Sequence, residues 1–207
     1  MSDGQPMAPA DPESMPDDAA EAAADAALMA AWRAGDDGAF EALYARWSGP
    51  TWRFLVRQCG AERAQELHQD TWMQVIRGRD RYRESARFAG WLFTLARNCI
   101  IDDARRRGVR PDHDHAGPDP ETLEGTASGD DEADPAARID AERDGRRLAA
   151  AVARLPRAQR EVVMLRWEGG LTLPEIAALT EASLDTVKSR LRYALGHLHK
   201  ELSADGG

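Results

Sequence analysis

The chain has 207 residues, with 36 acidic and 27 basic side chains and a formal net charge of −9. Its content of 43% hydrophobic and 30% charged residues is sufficient for the cores of one or two ordinary domains. It has no run of about 18 apolar residues and no basic residue before an N-terminal apolar block, so we expect neither membrane insertion nor a secretory signal. Two cysteines are too few for a disulfide framework or a zinc site, which predicts a reduced, cytoplasmic protein.

The charge is distributed unevenly along the chain. Residues 1–27 carry −7, residues 28–107 carry +4, residues 108–140 carry −8 and the remainder carries +2. Two basic blocks therefore alternate with acidic segments of low hydrophobicity, a pattern typical of tails and linkers. The sequence predicts a disordered acidic extension at 1–27, a helical domain at 28–107, a flexible acidic linker at 108–140, a second helical domain at 141–202 and a tail at 203–207.

Helical periodicity runs through the first block. Three groups of apolar side chains recur mainly at spacings of three and four residues, and strand-like alternation is nowhere sustained. We therefore predict an all-α bundle that is large enough to fold alone. The three groups are Phe40, Leu43, Tyr44 and Trp47; Ala64, Leu67, Trp72, Val75 and Ile76; and Phe88, Trp91, Leu92, Leu95 and Cys99.

An arginine-rich segment, residues 77–87, lies between the second and third groups. Arginines can follow a nucleic-acid backbone, while aromatic and guanidinium planes stack on the bases of an opened duplex. Phe88 and Trp91 can equally belong to the core, whereas Tyr82 fits no apolar group and is the better candidate for stacking. The segment alone leaves both interpretations open.

The second block contains a short helix, a tight turn and a longer helix. Thr172 and Glu175 have the spacing of a capping box, and Ser183 is a natural cap for the longer helix. This order predicts a helix-turn-helix whose second helix enters the major groove of DNA. A basic helix alone favours a plain solvated face, but the preceding capped helix and the turn shift the interpretation to DNA. The predicted buried positions are Leu184, Val187, Leu191, Leu195 and Leu198, and the predicted DNA contacts are Ser183, Thr186, Lys188, Ser189, Arg190 and Arg192.

No residue pattern predicts catalysis. Asp102 and Asp103 point about 100° apart on a helix, so they cannot chelate one ion well. We expect His113 and His115 to be solvated within the linker. The arginines at 105–107 either clamp phosphates or stabilise the end of a helix. Because a nucleophile–base pair, a phosphate-binding loop and a dinucleotide fingerprint are all lacking, we predict no enzyme, no cofactor and no metal site.

Two sets of motifs carry a family resemblance. The sequence from Gln65 to Arg77, followed by FAGWLFTLARNCIIDDARRR, resembles region 2 of sigma-70 family initiation factors. LPRAQREVVMLRWEGGLTLPEIAALT and SLDTVKSRLRYALGHL resemble region 4 of the same family. With only these two regions and a short spacer, the chain is similar to the extracytoplasmic-function (ECF) group. The resemblance implies an alternative sigma factor that binds core RNA polymerase and directs initiation at promoter DNA.

The resemblance also assigns residues to surfaces. It implies that Gln69, Asp70, Met73 and Gln74 dock on core RNA polymerase. It implies that the minus-10 promoter element is read and melted by Arg79, Arg81, Tyr82, Arg83, Arg87, Arg97 and Asn98. The helix after Ser183 is expected to read the minus-35 element, and an anti-sigma factor is an expected partner.

The main alternative is a helix-turn-helix regulator that is not a polymerase subunit. Such a regulator needs a sensory half or a phospho-acceptor domain, and the helical first block offers neither. An RNA-binding protein that uses the arginine-rich segment leaves the recognition helix unexplained. For a sigma factor, we expect the acidic segments to weaken DNA binding by the free chain, because affinity depends largely on neutralised phosphates.

Overall fold

The computed structural model describes residues 18–83, 87–108 and 135–204. These residues form eight α-helices and one 3₁₀ turn, with no strand among them, which confirms the predicted all-α class. No helix in this part of the chain has the length and apolar content needed to cross a membrane. The helices are α1 (Asp18–Arg33), α2 (Asp37–Cys59), α3 (Ala61–Gly78), α4 (Phe88–Arg106), α5 (Pro135–Arg154), α6 (Arg157–Trp167), α7 (Leu173–Thr180) and α8 (Leu184–Ala204), and the 3₁₀ turn is Arg79–Arg81.

Helices α1 to α4 form the first module, with α2 in contact with each of the other three. The Asp36 side chain caps α2 by accepting a 3.0 Å hydrogen bond from the backbone N–H of Gly38. Gly60 ends α2 with a positive φ of 83°, a conformation that favours glycine. The largest fully buried side chains of this module are Met29, Leu43, Phe54, Leu55, Leu67, Phe88, Leu92 and Phe93.

The first helix begins inside the predicted disordered extension. Helix α1 starts at Asp18, so ten residues of the segment assigned to 1–27 are helical. The cause lies in tertiary contacts, because Asp25, Met29 and Trp32 are all buried. The composition of 18–27 is rich in alanine and acid, and it gives no sign that one acidic residue is enclosed. The rest of the predicted extension, residues 1–17, lies outside the described residues.

Helices α5 to α8 form the second module, in which α8 contacts α5, α6 and α7. Thr172 and Glu175 make the predicted capping box at the start of α7, with both reciprocal hydrogen bonds present. Glu181 ends α7 with a φ of 55°, in the left-handed region. The apolar centre of the module consists of Val162, Val163, Leu165, Leu171, Ile176, Val187 and Ala194, all fully buried.

Two further predicted boundaries differ from the structure. Helix α5 begins at Pro135, so residues 135–140 are helical rather than part of a flexible linker. Proline is well suited to a first helical turn, where its missing N–H costs no hydrogen bond. Helix α8 continues to Ala204, two residues into the predicted tail. The predicted linker residues 109–134, with His113 and His115, lie outside the described part of the chain.

Four residues predicted to be buried are exposed instead. Tyr44 is 42% exposed, Ile76 44%, Leu184 38% and Leu195 46%. In α3 the buried line follows Leu67, Thr71 and Val75, and Ile76 lies about 100° around the helix from Val75. In α8, Ala194 takes the buried position that the periodicity assigned to Leu195. The groups of apolar residues predicted to be buried are therefore wider than the faces that the helices bury.

The two modules share one hydrophobic cluster. Helix α2 contacts α6, and α4 contacts α7. Gly169 allows a close approach: a Cβ atom at this position would lie 3.1 Å from Cε2 of Phe93, across the boundary. The second module thus packs directly on the first in this structure.

Candidate nucleic-acid and polymerase interface

One side of α3 is presented to solvent. Gln69 and Asp70 are exposed, and Met73 is 40% exposed, while Leu67 and Val75 are buried on the opposite side. Ile76 follows Met73 by three residues, which places the two apolar side chains next to each other on the helix surface. The sequence-based prediction missed Ile76 because it assigned this residue to the core. Met73 and Ile76 thus form a small exposed apolar pair among polar side chains.

Gln74 does not share this exposure. It is half-buried, and its Nε2 donates a 3.2 Å hydrogen bond to Sγ of Cys99 on α4. The side chain therefore turns toward the neighbouring helix, and the role of Gln74 in polymerase binding stays a prediction. Burial raises the pKa of the Cys99 thiol, which keeps it protonated as a structural contact.

An aromatic cluster lies beside the exposed face of α3. Trp72 Nε1 lies 3.1 Å from Nε2 of His68, and the same ring nitrogen lies 3.1 Å from the carbonyl oxygen of Ser48. An unprotonated Nε2 accepts from the indole, and a protonated Nε2 donates to the carbonyl. Burial lowers the pKa of His68, against the opposing effect of the nearby Ser48 carbonyl. The Tyr44 ring completes the cluster, with its centroid 4.7 Å from that of Trp72. These contacts fix the helix that carries the exposed face.

The arginine-rich segment is partly anchored to the first module. The guanidinium of Arg79 lies over the Trp32 ring, 5.5 Å from its centroid. Arg81 and Arg83 are exposed, whereas residues 84–86 lie outside the described part of the chain. Two cations are thus presented to solvent next to a fixed turn.

Tyr82 is part of the core. It is 4% exposed, and its ring centroid lies 5.3 Å from that of Trp91 and 6.3 Å from that of Phe88. The ring is therefore enclosed in this structure, and the stacking of Tyr82 on bases stays a prediction. Its backbone leaves the 3₁₀ turn in an extended conformation, and the ring packs on Trp91 and Phe88, which follow in the sequence.

Two of the predicted minus-10 arginines contact the second module. Arg87 donates to the carbonyl of Gly170 at 3.1 Å and forms an ion pair of 3.5 Å with Glu175. Arg97 forms a 3.0 Å ion pair with Glu161 on α6. The side chains of Arg87 and Arg97 are each 22% exposed. Asn98, next to Arg97, is exposed. These pairs cannot be predicted from the sequence, because the glutamates lie 88 residues from Arg87 and 64 residues from Arg97.

The predicted recognition helix, α8, starts at a well-defined cap. The Ser183 hydroxyl accepts a 3.1 Å hydrogen bond from the backbone N–H of Thr186 and lies 2.7 Å from its hydroxyl. Lys188 and Arg192 are exposed, and the Arg192 guanidinium lies over the Tyr193 ring. Ser189 and Arg190 are half-buried. The cap thus engages two hydroxyls, and the two exposed cations project from the first turns of the helix.

The adjacent aspartates on α4 have different environments. Asp103 is buried and forms ion pairs with Arg63 and Arg107, whereas Asp102 is exposed and lies 3.6 Å from Arg105. Their side chains do not converge on one point. Among the described residues, no group of three or more potential metal ligands comes together.

Comparison with known families places both modules. The family model described as Sigma-70 region 2 matches residues 43–110, and the model described as Sigma-70, region 4 matches residues 145–198. The first match contains α3, α4 and the arginine-rich segment. The second contains α6, α7 and most of α8.

Individual proteins are similar over nearly the whole chain. The chain is 36% identical over 170 residues to the ECF RNA polymerase sigma factor RpoE of Cereibacter sphaeroides, covering 81% of this chain and 88% of that protein. It is 32% identical over 191 residues to SigL of Mycobacterium tuberculosis, covering 89% and 94%. The structure of the sigma factor RpoE from Bartonella quintana, solved with the anti-sigma factor NepR, matches with a TM-score of 0.57 at 21% identity, covering 80% and 98% of the two chains.

Proposed function

This chain belongs to the ECF group of the sigma-70 family and is an alternative sigma factor, and we propose that it performs promoter-specific initiation through three separate surfaces. In this proposal, residues 28–107 bind core RNA polymerase and the minus-10 element, and residues 141–202 bind the minus-35 element. Residues 108–140 join the two. The chain acts in the cytoplasm as a specificity subunit and performs no catalysis of its own.

The exposed side of α3 is the proposed docking surface for core RNA polymerase. It comprises Gln69, Asp70 and Met73, to which the structure adds Ile76 as an exposed neighbour. The observation that carries this assignment is that these side chains have no role in the core, while the opposite side of the same helix is fully packed. Half-buried Gln74 is better placed to hold α3 against α4 than to contact the polymerase.

The Asp70→Arg variant tests this surface. A reversed charge at an interface weakens binding because it brings like charges together or removes an ion pair. The loss in binding free energy is roughly 2–5 kcal/mol where the pair is buried. Because Asp70 is exposed, the variant should keep the unfolding midpoint of the wild type while losing binding to core polymerase. Glu41→Arg, at an exposed position on α2 outside the proposed docking surface, is the matched control. Equal loss of binding in both variants contradicts the assignment.

The proposed minus-10 surface consists of the exposed cations Arg81 and Arg83, the exposed Asn98, the anchored Arg79, and the two arginines that contact the second module, Arg87 and Arg97. Arginine planes and donors suit an opened strand, where bases and phosphates are both accessible. Tyr82 is left out of this surface because it is buried.

The proposed minus-35 surface lies on the first turns of α8. Lys188 and Arg192 are the exposed cations, and Ser183, Thr186, Ser189 and Arg190 line the same part of the helix. Replacing Lys188 by alanine should weaken duplex binding across sequences and lower the slope of log affinity against log salt by about 1. An exposed lysine near the far end of the helix, Lys200, provides the control.

Run-off transcription with purified core polymerase tests the whole proposal. The chain should direct initiation at a subset of promoters when added to core polymerase, whereas a helix-turn-helix regulator should not support initiation without another sigma factor. Two structures similar to this chain contain a partner protein. CnrH was solved with the cytosolic domain of CnrY, and RpoE of Bartonella quintana was solved with the anti-sigma factor NepR. We therefore include an anti-sigma factor among the proposed partners.

A further inference from the structure

The 3₁₀ turn after α3 is packed against two tryptophans from different helices. Trp91 of α4 packs on residues at both ends of the turn. A Cβ atom at Gly78 would lie 3.0 Å from Cζ2 of this indole, and the Tyr82 ring centroid is 5.3 Å from its own. Trp32 of α1 lies beneath the Arg79 side chain, with its ring centroid 5.5 Å from Cζ of the guanidinium. Helix α4 thus holds the backbone of the turn, and α1 holds the side chain of its first arginine.

Trp32 is itself fixed in the core. It is 4% exposed, and the Phe40 ring packs on it with the two ring centroids 4.8 Å apart. Helix α1 also contacts α4 and the 3₁₀ turn directly. The family model of region 2 matches from residue 43 onward, so Trp32 precedes the matched part of the chain. The indole therefore offers the turn a rigid face to which the family comparison assigns no role.

Arg79 stays available to a ligand while it lies on this face. Its side chain is 36% exposed. A guanidinium stacks on a ring through its flat side, which leaves the N–H donors along its edge for hydrogen bonds to phosphate or base oxygens. Its ion pair with Asp80, at 3.5 Å, lies on the surface, where the aspartate is 82% exposed, and such pairs contribute little. Arg79 is thus oriented while its donors remain accessible.

An arginine that is oriented in advance binds more tightly than a free one. A free arginine side chain loses rotamer freedom when a ligand immobilises it, and this loss weakens binding. An arginine that already lies on an indole has lost much of that freedom when the protein folds. The contact with Trp32 should therefore strengthen any interaction that Arg79 makes in the same orientation.

We propose that Trp32 is a positioning residue of the minus-10 surface, whose ring holds the guanidinium of Arg79 in the orientation that binds the opened promoter strand. Trp32 acts only through Arg79, because the indole is buried and does not reach the DNA. The inference rests on the proposed function of Arg79. It gives α1, which precedes the region 2 match, a part in promoter opening.

Variants at position 32 separate the aromatic face from the packing of the core. Trp32→Phe keeps a ring beneath the guanidinium, whereas Trp32→Leu replaces the ring by an aliphatic side chain. Both variants carry a smaller side chain, so both should lower the unfolding midpoint. Met29→Ala, at a fully buried position three residues earlier on α1, is the control for destabilisation alone.

The rate of promoter opening by the full chain with core polymerase is the first measurement. Permanganate detection of unpaired thymines follows it at a temperature below the unfolding midpoints of all variants. Trp32→Leu should slow opening about fivefold, equivalent to ~1 kcal/mol. Trp32→Phe should recover most of this loss, and Met29→Ala should open the promoter like the wild type.

A double-mutant cycle tests whether Trp32 acts through Arg79. Adding Trp32→Leu to Arg79→Ala should not slow opening further, because the contact is already absent. A role of Trp32 in the core alone would make the two effects multiply. Multiplied effects overturn the proposal, as does equal slowing in Trp32→Leu, Trp32→Phe and Met29→Ala. Normal opening by Trp32→Leu also overturns it where Arg79→Ala is slow. Normal opening by Arg79→Ala contradicts the proposed function of Arg79 itself, and the inference with it.

A second measurement on the wild-type chain requires no change at position 32. Ring currents shift protons that lie over an indole face upfield, so the NMR signal of the Arg79 Nε–H should lie upfield of the signal of the exposed Arg81. Its absence from the spectrum of Arg79→Ala assigns it, and it should stay upfield when a short single strand is added. A signal that coincides with that of Arg81, or that moves there when the strand binds, overturns the proposal.

Discussion

The indole Nε1 of Trp47 donates a 2.9 Å hydrogen bond to a carboxylate oxygen of Asp25, which lies 22 residues earlier in the chain. Asp25 is only 2% exposed, and its other oxygen accepts from Arg46 at 2.9 Å. The two contacts join α1 to α2, one turn before the buried side chain of Met29. Helix α1 is therefore a structural part of the first module. Among its acidic residues, Asp25 has the specific role of joining α1 to α2.

Replacing Asp25 by alanine should destabilise the first module. The substitution leaves the Trp47 N–H without its acceptor in a buried position, which costs about 1–3 kcal/mol. Urea unfolding followed by tryptophan fluorescence measures the change. Asp25→Asn keeps an acceptor for Trp47 and should recover most of the loss, while alanine at the exposed Glu41 should have little effect. A stability of Asp25→Ala equal to that of the wild type contradicts the role of Asp25.

The same residue predicts a pH dependence. Burial raises the pKa of Asp25 above its ordinary value of 3.8, against the hydrogen bond from Trp47 and the charge of Arg46. The folded protein then binds this proton more tightly than the unfolded chain does. The stabilising contribution is therefore complete below the ordinary value and is lost as the pH rises through the raised value.

The Asp25→Asn variant isolates this effect. Its stability relative to the wild type should increase as the pH rises from about 4 to 7, because the amide does not ionise. Urea unfolding of both proteins across this pH range provides the comparison. If the wild type gains on the variant as the pH rises, Arg46 outweighs burial and the direction of the pKa shift is wrong.

The features that the sequence predicted well are those that depend on neighbouring residues. The capping box of Thr172 and Glu175 and the cap at Ser183 each involve contacts within three residues. The all-α class and the two-module order follow from periodicity and charge in the same way. Local geometry fixes such contacts before any tertiary structure exists.

The features that the sequence did not predict depend on distant partners. Tyr82 fits no helical stripe because it lies between helices, yet it is buried against Trp91 and Phe88. The ion pairs of Glu161 with Arg97 and of Glu168 with Arg53 form only where the second module packs on the first. The sequence alone therefore does not predict them. The sequence has no signal for contacts of this kind, because the partners are far apart along the chain.

Arg160 should be essential for the second module. It is 2% exposed, and its guanidinium donates to the carbonyls of Ala153 at 2.7 Å and Leu155 at 3.4 Å, at the end of α5. Arg160→Met keeps the apolar stem but leaves these carbonyls without their donor, at a cost of about 2–3 kcal/mol. Thermal unfolding should show a lowered midpoint, and Lys200→Met at an exposed site should not. A midpoint shared by both variants contradicts this assignment.

Glu181 offers a stabilising substitution. Its φ of 55° places a non-glycine residue in the left-handed region at the end of α7, where glycine avoids a strain of about 1 kcal/mol. Glu181→Gly should raise the free energy of unfolding, whereas Glu181→Ala keeps the strain and should not. Because Glu181 is exposed, neither change removes a buried contact. Urea unfolding of the three proteins gives the comparison, and a destabilised glycine variant contradicts the strain at this turn.

Tyr82 and Arg81 are adjacent in sequence but should respond to substitution in opposite ways. Tyr82→Ala opens a cavity beside Phe88 and Trp91, and loss of a buried aromatic ring costs about 3–5 kcal/mol. Arg81→Ala removes an exposed cation, so it should leave the unfolding midpoint unchanged and reduce promoter opening instead. Urea unfolding, together with permanganate detection of unpaired thymines in the polymerase–promoter complex, measures both effects. A Tyr82→Ala variant that unfolds like the wild type but fails to open the promoter would return Tyr82 to the DNA surface.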